Sequence, residues 1–183
     1  MEVIINLEKL FEIKPTTSAR QKKKYPEKIK FSDGLKVLVP DQDSFSDKYI
    51  RDHGCSLTAF YMALRFCGKK KSVKQCLKYL KKHYDLNGRS KYSMRQIYDA
   101  IITFCPGQNF YKAPTKSQVK RHLKAGHMIL FEERNPTHTA VYLWNGNKIV
   151  RFSNGGHKTV TLNQIMSKRS TDEYYKGCAV IRR

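Results

Sequence analysis

Three observations predict an α+β fold class for this chain. Apolar residues recur at helical spacing as far as Gly126, they recur in short strand-like runs after it, and an Asn-Gly pair joins two of those runs. Helices in the N-terminal part would then pack on a C-terminal antiparallel β-sheet. At 183 residues the chain suits one domain with a single core. Its 40% apolar and 11% aromatic content is below the usual globular share, yet far above that of a disordered chain.

Residues 1–34 read as a basic N-terminal arm, because an amphipathic start runs into the polar, lysine-rich "TTSARQKKKYPEKIK". A domain over 35–183 follows. "LKVLVP" (Leu35 to Pro40) alternates as a strand and is stopped by proline, and "DQDSFSD" is a polar loop. "SLTAFYMALRF" (Ser56 to Phe66) is apolar or small almost throughout, so it predicts a helix buried on all sides, with Cys55 in its first turn and Gly68 past its end. Ser72 to His83 differs. Val73, Cys76, Leu77 and Leu80 make one apolar stripe, Lys74, Lys78, Lys81 and Lys82 take the opposite face, and Ser72 can cap it. Ser93 opens a third helix carrying Met94, Ile97, Ala100, Ile101 and Phe104, and "TKSQVKRHLKAG" predicts a fourth ending at Gly126. "HMILFEE" is then a strand, "HTAVYLW" and "NKIVRFS" form a hairpin about Asn145-Gly146, and "HKTVTL" is a further strand. A short helical "NQIMSKRS" and a final strand "GCAVIRR" complete the order.

The 36 basic against 15 acidic residues leave a formal net charge of +21, which calls for an anionic partner such as a nucleic acid, an envelope polymer or an acidic protein, or else marks only a soluble lysine-rich surface. Residues 65–82 alone hold eight basic and no acidic side chains, but no nucleic-acid-binding motif accompanies them. The cysteines at 55, 67, 76, 105 and 178 are odd in number and include no C-x-x-C, so no disulfide framework is expected. His53, Cys55, Cys67, Cys76 and His83 fit no ligand spacing, and neither a metal nor a cofactor is expected. "MEVIINLEKLFEIK" resembles neither a signal peptide nor a membrane span, which predicts a cytoplasmic protein or one delivered without a recognisable signal.

A thiol nucleophile needs a base, and the base needs a third group to hold its ring. Cys55 lies between Gly54 and Ser56, where the first turn of a helix would favour a thiolate. His138 opens a strand directly after "RNPT", and the hairpin returns to the same sheet end at Asn154. His138 and Asn154 are therefore expected to be cross-strand neighbours, with the logic of a Cys-His-Asn triad. Cys67, Cys76 and Cys178 sit on apolar faces and read as structural, as do His127 and His157, while Cys105 at a helix end fits either role.

"HGCSLTAFYMALRFCG" resembles the nucleophile segment of papain-like cysteine peptidases of the bacteriocin-processing (double-glycine leader) type and their bacterial relatives. "GHMILFEERNPTHTAVYLWNGNKIVRFSNGG" resembles their second half, and the likeness covers roughly residues 35 to 165. It implies a papain-like fold and an amide-bond hydrolase acting through an acyl-enzyme on a peptide or protein, with Cys55 as nucleophile, His138 as base and Asn154 as orienting residue. Relatives commonly hold the oxyanion with an upstream glutamine. Gln42 is the nearest such residue here, thirteen positions before Cys55, and the Cys55 amide is the other candidate donor. The competing expectation is a catalytically silent papain-like module that binds an anionic partner through its lysines.

Overall fold

The computed structural model describes residues 27–30, 36–40, 48–86, 89, 91–134, 138–153 and 156–183. Among them are five helices: α1 (Lys48–Phe66), α2 (Val73–His83), α3 (Met94–Phe104), α4 (Lys116–Lys124) and α5 (Leu162–Ser167). Strands β1 (Glu27–Lys30) and β2 (Lys36–Val39) pair antiparallel, so Glu27–Lys30 of the expected arm is strand. The rest of the arm lies outside the described residues.

The main sheet holds β3 (Asn109–Tyr111), β4 (Met128–Glu133), β5 (His138–Asn145), β6 (Lys148–Ser153), β7 (Gly156–Val160) and β8 (Cys178–Ile181). Their order is β3-β8-β4-β5-β6-β7, and every neighbouring pair is antiparallel. The α+β class is therefore as expected. The hairpin turn falls one residue later than the sequence indicates. Asn145 still pairs with Lys148, and Gly146, at φ 66°, takes the left-handed position that a two-residue turn demands.

Strand side chains alternate between faces, and here both faces are buried. Met128, Leu130, Val141, Leu143, Val150, Phe152, Ala179 and Ile181 join α1, α2 and α3 in one apolar cluster. Ile129, Phe131, Ala140, Tyr142, Ile149, Cys178 and Val180 join Val119 and Leu123 of α4 and Ile165 of α5 in another. The sheet is thus the middle of three layers. Each fully buried Leu, Ile, Val or Phe contributes about 1.5–3 kcal/mol, which makes the central strands the most strongly held part of the fold.

Four helices begin with a reciprocal capping box. Ser72 with Gln75, Ser93 with Gln96, Thr115 with Gln118 and Thr161 with Gln164 each exchange side-chain and backbone hydrogen bonds. The α2 stripe Val73, Cys76, Leu77 and Leu80 is buried, and Lys74, Lys78, Lys81 and Lys82 are exposed, as the spacing predicts.

Helix α1 departs from expectation. It begins at Lys48, so seven of its residues precede Cys55, which is not in the first turn. The reason is packing: Ile50, Leu57, Tyr61 and Leu64 lie at helical spacing and are all buried. That stripe outweighs Gly54, whose cost inside a helix is about 1 kcal/mol. The free N–H groups and dipole of a helix start are therefore remote from Cys55.

Candidate active site around Cys55

Cys55 is buried, with 7% of its surface exposed, and faces the sheet. Its Sγ lies 4.0 Å from Oγ1 of Thr139, the second residue of β5 and 84 positions later in the chain. Thr58 donates its hydroxyl to the Cys55 carbonyl at 3.0 Å, which ties down the local turn of α1.

Thr139 is the hub of a buried polar cluster. Its hydroxyl donates to Oε2 of Glu132 at 2.9 Å, the residue directly opposite on β4. Nζ of Lys91 stands 3.4 Å from the same Oγ1 and is ion-paired with the Glu132 carboxylate. Lys91 is 2% exposed and Glu132 is 0% exposed, so both charges are removed from water. Burial lowers the Lys91 pKa to about 8, against the opposing pull of Cys55 and Glu133. An ion pair taken out of water recovers its desolvation cost only with good partners, and Thr139 supplies one.

His138 heads β5, as expected, and pairs across the strands with Glu133. Thr139 shares the strand face of Val141 and Leu143, so alternation puts His138 on the face of Ala140 and Tyr142, across the sheet from Cys55. There Arg151 donates from Nε to Oε1 of Glu133 at 2.8 Å and from Nη1 to Oγ of Ser153 at 2.8 Å, and Tyr142 donates to the Glu133 carboxylate. Burial lowers the His138 pKa to about 4. The Arg151 and Lys91 cations act in the same direction and outweigh Glu133. The ring is accordingly neutral at pH 7, and its buried Nε2 has no hydrogen-bond partner among the described residues. Burial pushes the Glu133 carboxyl up, but hydrogen bonds from Arg151 and Tyr142 and the Arg151 charge prevail and hold it below the usual range.

The structure thus brings Cys55 to the end of β5 that His138 heads, without joining the two by a hydrogen bond among the described residues. Asn154 and Gln42 lie outside the described residues. The α2 lysines Lys74, Lys78, Lys81 and Lys82 are exposed and make none of the contacts described for this cluster. Sequence reasoning missed Lys91, Glu132 and Thr139. A usable signal was the "EE" closing "HMILFEE": on a strand buried on both faces, one of two adjacent acids must turn into each layer and find a partner.

Cys76 and Cys178 are buried, as expected from their apolar positions, and so is Cys105. Cys67 is half-buried and donates to the Arg182 carbonyl. His127 shares a hydrogen bond with His122 between their Nδ1 atoms at 3.1 Å. Among the described residues no group of three or more His, Cys, Asp or Glu could hold a metal ion, and no helix is long and apolar enough to cross a membrane.

Comparison with known proteins found no matching family model, curated protein or solved structure.

Proposed function

We propose that this protein is a thiol-dependent amide-bond hydrolase of papain-like layout, with Cys55 as nucleophile. The observation that carries the reading is the meeting of Cys55 with Thr139. Two segments that stand out in the sequence for different reasons, 84 residues apart, come together at one sheet end over a buried ion pair. Charges held away from water beside a nucleophilic side chain are characteristic of reaction sites. In this reading the Cys55 thiolate attacks a carbonyl carbon, the amine leaves with a proton, and water releases the acyl group from sulfur.

His138 is the proposed proton carrier and Asn154 its proposed orienting residue. Its ring is neutral at pH 7, the charge state an acceptor needs, and its lowered pKa makes it a weaker base than an ordinary histidine. The reading requires the first residue of β5 to present its ring at the Cys55 side of the strand end. Incubating the wild type and Cys55→Ala with a mixed peptide library is the test. Cleavage by the wild type alone supports the hydrolase, and identical product profiles for both proteins refute it.

A second reading has its own observation: His138 shares the face of Tyr142, opposite to Cys55. A silent module of the same layout would then bind an acidic polymer or protein through the exposed Lys74, Lys78, Lys81 and Lys82. Salt-sensitive binding to polyglutamate or heparin, with no Cys55-dependent cleavage, is the result this reading expects.

A further inference from the structure

We infer that the ammonium group of Lys91 is the charge that makes Cys55 reactive, with Glu132 and Thr139 as the residues that position it. The inference rests on the reading of Cys55 as nucleophile, and it deepens that reading by naming what replaces a helix terminus. Seven helical residues precede Cys55, so neither unpaired N–H groups nor the positive end of the α1 dipole lies at the sulfur. Some other positive group has to favour the thiolate, and Lys91 is the buried cation of this cluster.

Three contacts fix the ammonium. Glu132 pairs with it, Thr139 Oγ1 accepts from it at 3.4 Å, and the Tyr175 ring lies under it with its centroid 4.9 Å away. Each partner comes from a different part of the chain: β4, β5 and the segment before β8. The Thr139 hydroxyl has a single proton, which goes to Glu132, so its lone pairs are left for Lys91 and for the thiol of Cys55. When the thiol ionises, its proton passes to solvent and Lys91 keeps its own. The Thr139 hydroxyl can then turn and donate to the sulfur, while Lys91 continues to balance Glu132.

The other charged groups near the cluster are Glu133 and His138, both on the opposite face of the sheet. His138 is neutral at pH 7, and Glu133 is committed to Arg151, so Lys91 is the cation that shares Thr139 with Cys55, alongside its partner Glu132.

The test is alkylation of Cys55 by iodoacetamide between pH 5.5 and 9.5, followed by peptide mass mapping. No peptide substrate is involved, so a failed hydrolase reading and a failed inference give different results. Lys91→Met should slow modification of Cys55 about tenfold at pH 6.5, the effect of raising the thiol pKa by about one unit. Lys91→Arg, which keeps the charge, should stay within about twofold of wild type. Because Lys91→Met strands the buried Glu132 and could unfold the protein, the double variant Lys91→Met/Glu132→Leu replaces the pair by apolar side chains of similar size. It should fold, and with one charge of each sign removed its rate should fall between those of the wild type and Lys91→Met. Slowing of the double variant equal to that of Lys91→Met would overturn the inference, as would slowing beyond twofold by Lys91→Arg.

Discussion

Glu132 and Glu133 are adjacent on β4 and send their carboxylates to opposite faces of the sheet, the first to Lys91 and the second to Arg151. One sheet end therefore carries a buried ion pair on each face, with Cys55 and Thr139 above it and His138 and Tyr142 below. Both clusters interrupt apolar layers, and burying an unpaired charge there would cost several kcal/mol. Position on the strand decides which residue belongs to which chemistry: Thr139 faces Cys55, and its neighbour His138 faces Arg151.

Exposure alone should not set the order in which the thiols react. Cys67 is the most open of them, yet its pKa is pushed up to about 12, by burial first and then by the neighbouring Cys105 thiol. Burial also pushes Cys76 up to about 12 and raises Cys178. Only thiolates alkylate quickly. Mass mapping after brief exposure to iodoacetamide at pH 7 should find Cys55 modified ahead of Cys67, Cys76 and Cys178. Modification of Cys67 first would show that access, not ionisation, sets the order.

Stability should fall as the solution is acidified through the histidine range. The folded-state pKa of His138 is lowered to about 4 from the ordinary 6.5, so between these values the unfolded chain binds the extra proton. Its neutral form is compatible with the fold above pH 6.5, and the penalty builds as pH drops toward 4. Allowing for its partial exposure, the contribution is on the order of 2 kcal/mol. Urea unfolding of the wild type at pH 7.5 and pH 5 should show the loss, and His138→Gln should lessen it. An equal pH dependence in both proteins would assign the acid sensitivity to other groups.

Gly177 precedes β8 at φ 150°, and a Cβ placed on it would lie 2.6 Å from Cζ of Phe110. Gly177→Ala combines an unfavourable backbone angle with that collision, so it should lower stability by about 1–3 kcal/mol. A smaller partner, Phe110→Ala, should relieve the steric part only. If the single glycine variant melts within a degree of wild type, the strand edge at β3 and β8 is looser than this packing implies.

The parts of the fold that could be read from the sequence are those whose signal is local. The stripes of α2 and α3 are amphipathic, their first serines are caps, and the hairpin of β5 and β6 has its own turn residues. The start of α1 was not legible, because Lys48 to Gly54 is polar at most positions and only the distant partner of Ile50 makes it helical. Strand β3 is three residues at a sheet edge and exists through its pairing with β8. Helices α4 and α5 cover the second sheet face, a fact of topology that no periodicity states. Of the candidate site, Cys55 stands out in the sequence for a helix-start setting that the fold does not give it, whereas Lys91 is one lysine among many until the fold buries it beside Glu132.

The last prediction concerns how the proposed reaction is divided among its residues. Cys55→Ala should abolish turnover, since it removes the sulfur that is proposed to carry the acyl group. If His138 moves the proton, His138→Ala should lower kcat by about 10²–10⁴-fold. Combining it with Cys55→Ala should add nothing, because members of one catalytic unit fail together. Asn154 would only orient the ring, so Asn154→Asp should retain more activity than Asn154→Ala, and a new carboxylate would move the histidine-dependent part of the pH profile upward. Lys91→Met should act differently, slowing the enzyme most at low pH, where little thiolate remains, and least above pH 9. Steady-state assays of these variants from pH 5.5 to 9.5 separate the roles. Turnover that survives His138→Ala within twofold, yet retains the Lys91→Met defect, would remove His138 from the mechanism and leave Cys55 paired with the cation of its own sheet face.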